Sequence, residues 1–388
     1  MVMKLRQIPE DFVVEEINDF NLFEEGKFKV YSLEKKGIET FFLISHLSKL
    51  NDIPSSNFGI AGLKDKHAIT KQFFSIPSKY DLKTLTEPNF SIKLAGYMDR
   101  PIVIGRLFGN RFAITVRDLR KEDLEKIKNR ANELQYGVPN YFDSQRFGSV
   151  INGEFIAKYL VKKDYEKAVK LFLTGYTKHE SKKIKDDKRK ILDSWNNLEN
   201  VELSSRTLAK VVDEYKAAKD FSAAYKKIDQ NIRQMIISAY QSYLWNECVK
   251  ETLKKCVKHK VLYNVKYNIG DLLYYKDLNN DEEKRIPHYF KLISHDAEFN
   301  DFEKKIVDGV LKKEGLSLPD FDIKSATSNF FKAQNRHVLI LPEDFELSEP
   351  SIDELNDKGR RNVYKVTLSF SLQKGSYATI VTKKIFGR

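Results

Sequence analysis

A single carboxylate, Asp65, lies among cationic residues in the segment GIAGLKDKHAITKQFF, which covers residues 59–74. Lys64 precedes it, and Lys66 and His67 follow it. Nearby cations keep a carboxylate ionised, and an ionised carboxylate can act as a nucleophile. An ordinary solvated turn explains the same pattern, because the short Asp side chain bonds its own backbone. Asp65 is therefore a candidate catalytic residue, and the rest of the chain has to decide between the two interpretations.

A second segment, PNYFDSQRFG at residues 139–148, contains side chains that suit a planar ligand. Phe142 or Tyr141 can stack on a base, and Asn140 offers an amide edge. Arg146 offers a planar fork for phosphate or carboxylate. On spacing alone, a surface aromatic cluster that joins two domains explains these residues slightly better.

Two glycine-containing matches to known motifs are rejected. A phosphate-binding P-loop needs Gly-Lys followed by Ser or Thr, whereas here Leu63 precedes Lys64 and Asp65 follows it. The letters GIAG also match the GXXG loop of RNA-binding KH domains. A strand, not the required helix, is predicted after this loop, so the match is treated as chance.

Neither a disulfide framework nor a metal site is predicted. The only two cysteines, Cys248 and Cys256, lie on one predicted amphipathic helix, which excludes a multi-cysteine zinc site. The seven histidines are scattered, with no pair at ligand spacing beside a carboxylate. The N-terminal sequence lacks the apolar core of a signal peptide, and no later stretch could span a bilayer. We therefore expect a cytoplasmic protein.

Length and charge indicate a two-domain protein with an anionic partner. A chain of 388 residues exceeds one ordinary core, and its hydrophobic share of 41% is ample for packed interiors. Lys and Arg number 67 against 55 Asp and Glu, which gives a formal charge of +12. Such an excess favours a polyanion, because cations that neutralise phosphates release counterions. A Lys-rich solvated surface would give the same composition, so charge alone leaves both explanations open.

Hydrophobic periodicity predicts strands near both ends of the chain and helices in the middle. In the N-terminal part, a helix is predicted from Thr40 to Leu50 and another over 121–137, closed by Gly137. Gly109 and Asn110 suit a turn with positive φ between two strands. The strands predicted in this part cover residues 11–17, 27–37, 69–76, 100–109 and 111–119.

Helical spacing dominates from about residue 152 to about residue 260. The Lys-rich run at 178–190 is predicted to be a solvated helix face rather than a binding patch. A β pattern returns at 263–277, and the tail is predicted to form strands at 336–347, 361–372 and 376–386. This order predicts a β-rich domain that is interrupted by a largely helical one.

Six segments, taken in order, resemble the TruD family of pseudouridine synthases. They are PEDFVVEE, GIAGLKDKHAITKQFF, GNRFAITVRDL, VPNYFDSQRFG, AYQSYLWN and GSYATIV. The similarity extends from about Arg6 to Phe386 and is dense over residues 6–148. The GLKD and NYFxxQRFG blocks are specific, and both at a suitable separation would rarely arise by chance.

The resemblance implies an α+β fold with an inserted domain. In this family the catalytic pseudouridine synthase domain has a mixed, mainly antiparallel sheet with flanking helices, and the insertion leaves an RNA-binding cleft. On this chain, the catalytic domain would cover residues 1–151 and 336–388. The inserted TRUD-type domain, a largely helical α/β domain, would cover 152–335.

The resemblance also assigns roles to individual residues. The family's catalytic aspartate corresponds to Asp65, and the basic residue before the PEDF segment, a lysine in some members, corresponds to Arg6. The substrate-binding side chains implied by the resemblance are Arg6, Phe12, Lys64, Asn140, Phe142, Arg146 and Tyr377.

The implied reaction isomerises uridine to pseudouridine in tRNA, at uridine 13 in family members, and some members accept other RNAs. The N-glycosidic bond is broken and remade to carbon, so the detached base must be held. An ionised Asp65 can attack the ribose or abstract a sugar proton, and the sequence leaves both open. Phe142 can hold the base by stacking, at roughly 1–3 kcal/mol per base. The target uridine must also be flipped out of its stack.

The expected partner is tRNA, with other structured RNAs as further candidates. No cofactor, metal, guide RNA or membrane is expected, and we expect a monomer. The alternative is a non-catalytic RNA-binding protein that retains the scaffold, although the presence of Asp65, Asn140 and Phe142 argues against it. One residue departs from the family: Asp143 stands where Gly is common. Asp tolerates a left-handed backbone better than most residues, so we expect the turn to be kept.

Overall fold

The structure is a computed structural model that describes residues 3–82, 86–177, 180–327, 330–357, 359 and 362–387. The chain divides into two compact units. The first unit comprises the chain up to Val138 together with Ile340–Gly387, and the second comprises Pro139–Leu339. The assignment of a catalytic domain to 1–151 and 336–388, and of an inserted domain to 152–335, stays a prediction.

The described elements include 17 strands and 12 α-helices. The strands are β1 Lys4–Leu5, β2 Phe12–Ile17, β3 Phe28–Lys36, β4 Gly59–Ile60, β5 Ile69–Pro77, β6 Thr86–Glu87, β7 Phe90–Met98, β8 Gly109–Arg120, β9 Val138–Pro139, β10 Leu262–Tyr267, β11 Gly270–Tyr275, β12 Tyr289–Lys291, β13 Asn335–His337, β14 Leu339–Ile340, β15 Glu343–Leu347, β16 Ser351–Ile352 and β17 Val363–Gln373. The helices are α1 Thr40–Asn51, α2 Lys121–Asn132, α3 Ile156–Val161, α4 Tyr165–Thr174, α5 Lys182–Asp193, α6 Arg206–Ala218, α7 Phe221–Lys226, α8 Gln230–Cys256, α9 Asn280–Arg285, α10 Asp301–Glu314, α11 Lys324–Thr327 and α12 Ala378–Phe386.

The first unit is built on one large mixed sheet. Its strands follow the order β15-β17-β8-β2-β5-β3-β7-β6, and β1, β16 and β4 pair with β8, β17 and β5. Among these described pairs, β2 and β5 run parallel and the others run antiparallel. Helices α1, α2 and α12 belong to the same unit. The mainly antiparallel sheet with helices confirms the predicted α+β class.

Strand β2 shows how the sequence brings a polar group to the sheet face that carries the candidate site. Its residues alternate between buried and more exposed positions, with Phe12, Val14 and Glu16 buried. Successive side chains of a strand point to opposite faces, so these three share one face. Phe12 packs edge-on against Phe112 of the neighbouring strand β8. A buried carboxylate such as Glu16 needs a partner, and the site described below provides one.

The second unit is mainly helical. Its 27-residue helix α8 is buried along most of its length, including Tyr240 and Trp245. Cys248 and Cys256 are both free and buried on this helix, and burial raises the pKa of each thiol. Strands β10 and β11 form a hairpin, as the pattern at 263–277 predicts. None of the helices in the described part of the chain is long and apolar enough to cross a bilayer.

The predicted strand at 100–109 is wrong. Residues 101–108 form a loop with turns, and the strand that precedes β8 is β7, which the sequence analysis missed. Pro101 has no backbone N–H for a ladder, and Gly105 has a φ of 87° that breaks the extended chain. Ile102 and Leu107 are buried, so the apolar residues anchor a loop instead of one face of a strand.

The predicted turn at Gly109 and Asn110 is also wrong. Both residues are the first two of β8, and Gly109 pairs with Gln373 of β17. A Cβ atom at Gly109 would lie 2.1 Å from the carbonyl oxygen of Leu372. Glycine at position 109 therefore allows two strands to approach closely, and it does not form a turn.

The predicted strand at 376–386 is a helix, α12, which follows a turn at Gly375 with a φ of 83°. β-Branched residues favour strands, but tertiary packing overrides that preference here. Ile380, Val381 and Ile385 are buried, and the last two are four residues apart on one helical face. Lys384 is buried beside them, and its ammonium donates to the carbonyl of Gly137 at 3.2 Å.

Candidate active site

The carboxylate of Asp65 forms a close ion pair with Arg6. Arg6 Nη1 lies 2.5 Å from Asp65 Oδ2, and Asp65 Oδ1 accepts the backbone N–H of His67 at 3.0 Å. The two side chains are 31% and 23% exposed, so each retains access to solvent. Both oxygens of the carboxylate are thus oriented, and the pair remains partly exposed to solvent.

The backbone at Arg6 is in a rarely used conformation. Its φ is 57°, in the left-handed region that non-glycine residues seldom adopt. The guanidinium carbon lies 3.9 Å from the ring centroid of Phe12, a cation–π contact. Left-handed residues that persist in folded proteins cluster at functional sites, because the surroundings must hold them. The structure therefore brings together Arg6, Phe12 and Asp65, three of the residues that the sequence singled out.

Asp11 of the PEDF segment holds the Arg6 turn in place. Its buried carboxylate accepts the backbone N–H groups of Gln7 and Ile8 at 3.0 and 3.1 Å through Oδ2. Its other oxygen accepts Arg117 Nε at 2.8 Å, and Arg117 Nη1 also donates to Asp353 Oδ1 at 2.9 Å. The aspartate of PEDF is thus a support for the turn, which explains why that residue type is needed there.

The ammonium of Lys64 contacts Asn110 and Glu16 instead of the Asp65 carboxylate. Its ammonium donates to Asn110 Oδ1 at 2.7 Å and lies 2.9 Å from Glu16 Oε1, and both ionic side chains are buried. Glu16 Oε2 in turn accepts the backbone N–H of Phe73 at 3.1 Å. Lys64 therefore anchors the GLKD loop to the sheet face, and its role in substrate binding stays a prediction.

Lys35 supports the same loop through the backbone of Asp65. Its buried ammonium donates to the carbonyls of Ile38 and Asp65 at 2.7 and 3.2 Å. Burial lowers the pKa of Lys35 to about 8, and the nearby Asp65 charge opposes that shift. The catalytic candidate is thus held by a cation at its backbone and by another, Arg6, at its side chain.

In the second unit, Asn140 and Phe142 are buried and held by two polar residues. Arg336 donates through Nε and Nη2 to the Asn140 carbonyl at 3.0 and 2.8 Å, and through Nη2 to Asn140 Oδ1 at 2.8 Å. Its guanidinium carbon lies 4.0 Å from the Phe142 ring centroid. Asn246 accepts the N–H of Phe142 and donates to its carbonyl, both at 2.9 Å. The NYF segment is therefore rigidly fixed.

A scan against protein-family models matches residues 1–385 to tRNA pseudouridine synthase D (TruD). The relative from Methanococcus maripaludis, "Probable tRNA pseudouridine synthase D 1", is 41% identical over 99% of both chains. The Aquifex aeolicus "tRNA pseudouridine synthase D" is 31% identical over 100% of this chain and 98% of its own. The crystal structure of the "Putative tRNA pseudouridine synthase D (TruD)" from Methanosarcina mazei has a TM-score of 0.74 at 27% identity, covering 98% of this chain and 92% of that one.

The chain belongs to the TruD family. This confirms the predicted family and the predicted enzyme class, an isomerase of the tRNA pseudouridine synthase type. In the described part of the chain, no group of three or more His, Cys, Asp or Glu residues could hold a metal ion.

Three further residues named from the TruD resemblance have definite places in the structure. Arg146 lies in the second unit, with its guanidinium carbon 5.3 Å from the Phe142 ring centroid. Tyr377 precedes α12 in the first unit and is half-buried. Asp143 has a φ of −106°, so the left-handed conformation considered for it is wrong. Its Oδ1 accepts the N–H of Ser144 at 2.7 Å and caps the short helix that follows, a role that Gly could not fill.

Sequence reasoning missed several residues that hold the Asp65 loop in the first unit and the NYF segment in the second. Glu16 and Lys35 lie in β2 and β3 at positions that the alternation of each strand places on its buried face, and a charge at such a position is a signal for a polar site. Asn246 lies within AYQSYLWN, a segment that the sequence analysis quoted without a role for its residues. Arg336 gave no usable signal, because it contacts Asn140 across 196 residues of chain.

Proposed function

We propose that this chain isomerises uridine to pseudouridine in tRNA, at uridine 13, with Asp65 as the catalytic carboxylate. The Arg6–Asp65 ion pair supports the proposal most directly, because it orients a partly exposed carboxylate within the TruD motif. A carboxylate with no further role would gain little from a neighbour held in a left-handed conformation. The target nucleoside, the mechanism and the role of each side chain are part of this proposal.

The oriented carboxylate suits either of two routes. In the first, a carboxylate oxygen bonds to the anomeric carbon while the glycosidic electron pair leaves with uracil. In the second, the carboxylate removes a ribose proton as the base departs. In the first route, C5 of the rotated uracil then displaces the carboxylate oxygen from the anomeric carbon. In the second, C5 bonds to the anomeric carbon while the carboxylic acid returns its proton to C2′ of the ribose. In both, N1 gains a proton and C5 loses one. The loss of the C5 hydrogen is the event that an assay can follow.

The other assigned side chains would bind the substrate. Phe12 is buried beneath Arg6, so its ring supports the guanidinium that faces Asp65. By the family resemblance, the remaining substrate-binding side chains are Lys64, Asn140, Phe142, Arg146 and Tyr377, and Phe142 would stack on the detached base. Location in the cytoplasm, the monomeric state and independence of cofactor, metal and guide RNA stay predictions.

The proposal is tested with tRNA that carries tritium at uracil C5. Wild type should release label, and Asp65→Asn should release none, because the amide keeps the shape but cannot act as a nucleophile or base. Asp19→Asn is the matched control, since Asp19 faces Arg106 at 3.8 Å and its side chain is 26% exposed. Unimpaired release by Asp65→Asn would contradict the assignment of Asp65.

The choice of nucleoside is tested with a tRNA in which cytidine replaces uridine 13. Label release from the remaining uridines should fall to background. Continued release would place the target elsewhere while leaving the enzyme class intact. Tight tRNA binding by wild type without any label release would favour the alternative, a non-catalytic RNA-binding protein.

A further inference from the structure

Four large apolar side chains are exposed in the loop that leads into Asp65 and in the loop at 101–108: Val103, at 55%, and the three described next. Leu63 is 57% exposed, Ile104 83% and Phe108 67%. Leu63 lies in the GLKD loop, whereas the other two lie in the loop at 101–108 that joins β7 to β8. Single exposed apolar residues are common, but several at one place indicate an interaction surface. We call these three residues the apolar rim.

Hydrogen bonds at two points join the segments that carry the apolar rim. The backbone N–H of Gly105 donates to the carbonyl of Ala61 at 2.7 Å. Farther along both segments, the ammonium of Lys64 donates to Asn110 Oδ1 at 2.7 Å. Because these bonds tie residues 105–110 to residues 61–64, the exposed side chains belong to one composite surface. That surface ends at the residue before Asp65.

The backbone under Phe108 is fixed on both sides. Its N–H donates to the carbonyl of Ile17 at 2.9 Å, and its carbonyl accepts the N–H of Lys374 at 2.9 Å. The ammonium of Lys374 also donates to the Gly105 carbonyl at 3.0 Å. Phe108 is therefore presented to solvent by a backbone that neighbouring strands hold, and not by a free loop.

The apolar rim is not needed to anchor its own loop. Ala61, Ile102 and Leu107 are buried together in one hydrophobic cluster, which ties both segments to the body of the unit. Ile104 and Phe108 lie in the same loop as Ile102 and Leu107 but remain outside the cluster. Their exposure therefore gives the folded chain no packing benefit, which is the expectation for side chains that contact a partner.

Cations lie in and next to the segments that carry the apolar rim. Lys374 is bonded to the Gly105 carbonyl, Arg106 is partly exposed within the loop, and Lys66 is exposed just after Asp65. Apolar side chains interleaved with cations match unpaired RNA, whose bases stack on apolar groups and whose phosphates contact cations. Such an RNA must reach Asp65 if the proposed function is correct, and flipping its target nucleoside leaves a gap between the flanking bases.

We propose that Phe108 and Ile104, together with Leu63, stack on the bases that flank the target nucleoside and fill the gap that its flipping leaves. This inference rests on the proposed function, because it takes the flipped nucleoside at Asp65 as its starting point. Apolar side chains that enter a base step in this way compensate for lost stacking and hold the strand bent. The apolar rim would then determine how easily the target is extruded.

Photo-crosslinking tests the contact itself. The photoreactive residue p-benzoylphenylalanine is placed at position 108 in the full chain, and at position 23 as the control. Phe23 is 57% exposed, and its backbone is bonded in both directions to Tyr97 of β7. Irradiation with tRNA should crosslink position 108 at least ten times more than position 23, at nucleotides next to the modified uridine. No excess at position 108, or a crosslink to a second protein molecule, would overturn the proposal.

Kinetics tests the consequence. The double variant Phe108→Ser with Ile104→Ser should lose about 10- to 100-fold in kcat/KM for tritium release from tRNA, as expected for lost base stacking. Phe23→Ser should match wild type, and Phe108→Trp should retain activity because it still stacks. Unchanged kcat/KM in the double variant would contradict the inference.

The outcomes separate this inference from the function on which it rests. If wild type releases label and the double variant is as active, the apolar rim has no role and the proposed function stands. If wild type releases no label but position 108 crosslinks to tRNA, the catalytic proposal fails and the RNA contact remains. If the double variant does not fold, the Phe108→Trp activity and the crosslink still decide the matter.

Discussion

Arg6 and Asp65 are 59 residues apart in the chain, yet Nη1 of the first lies 2.5 Å from Oδ2 of the second. The pair forms because β1 and the PEDF turn bring Arg6 to the start of β5, where the GLKD loop ends. The backbone of Arg6 itself is left-handed, with a φ of 57°. This contact fixes the orientation of the Asp65 carboxylate.

Replacing Arg6 tests whether its positive charge, and not only its size, orients the Asp65 carboxylate. Arg6→Gln should lower kcat for tritium release by about 100-fold, since a catalytic group misplaced by roughly 1 Å can cost that much. Arg6→Lys should keep most of the activity, because one donor reaches Asp65 and the family accepts lysine at this position. The measurement is single-turnover release at saturating tRNA. Equal rates for the two variants would contradict an orienting role for the cation.

Asp11→Asn should destabilise the first unit. The amide cannot accept from Gln7, Ile8 and Arg117 at once, so buried donors are left unpaired. We expect a loss of about 2–4 kcal/mol in the free energy of unfolding, measured in urea. Glu10→Gln is the control one residue earlier, because Glu10 pairs with Lys36 at the exposed surface. That change should cost less than about 0.5 kcal/mol, and comparable losses for both would refute this account of PEDF.

The motifs predict much of this site, and the structure shows which part they could not predict. GLKD and PEDF each identify a segment of the candidate site. Neither reveals that Arg6 is the partner of Asp65, because that contact depends on the register of β2 beside β5. Local patterns also fail at α12, where buried packing overrides β-branched composition. Long-range polar supports such as Arg336 are invisible for the same reason: only the fold brings them to their partners.

Arg336→Lys should weaken the support of the NYF segment. Lysine keeps the charge but loses the planar fork that donates to Asn140 and the flat group over the Phe142 ring. We expect the free energy of unfolding to fall by about 1–3 kcal/mol. Arg189→Lys is the control, because Arg189 pairs with Asp186 on an exposed helix face and should tolerate the change. If Arg336→Lys left the free energy of unfolding unchanged, the positive charge alone would be enough to support the NYF segment.

Because Lys35 is buried, the free energy of unfolding should rise with pH in the alkaline range. Burial lowers its pKa in the folded chain to about 8, from an ordinary value of 10.5. Below about pH 8, Lys35 is protonated in both the folded and the unfolded chain. The full cost of burying its charge then lowers the free energy of unfolding. Between those two pKa values the unfolded chain binds more protons, so the free energy of unfolding rises with pH.

The comparison that isolates this effect is wild type against Lys35→Met in urea at about pH 7 and about pH 9.5. The free energy of unfolding of wild type, minus that of Lys35→Met, should increase by about 1–2 kcal/mol over that interval. Other alkaline titrations, including Lys384 with its pKa also lowered to about 8 by burial, occur in both proteins and cancel. A difference that stays constant or moves the other way would mean that Lys35 keeps an ordinary pKa. In that case its ammonium beneath Asp65 would remain charged throughout the working range of the enzyme.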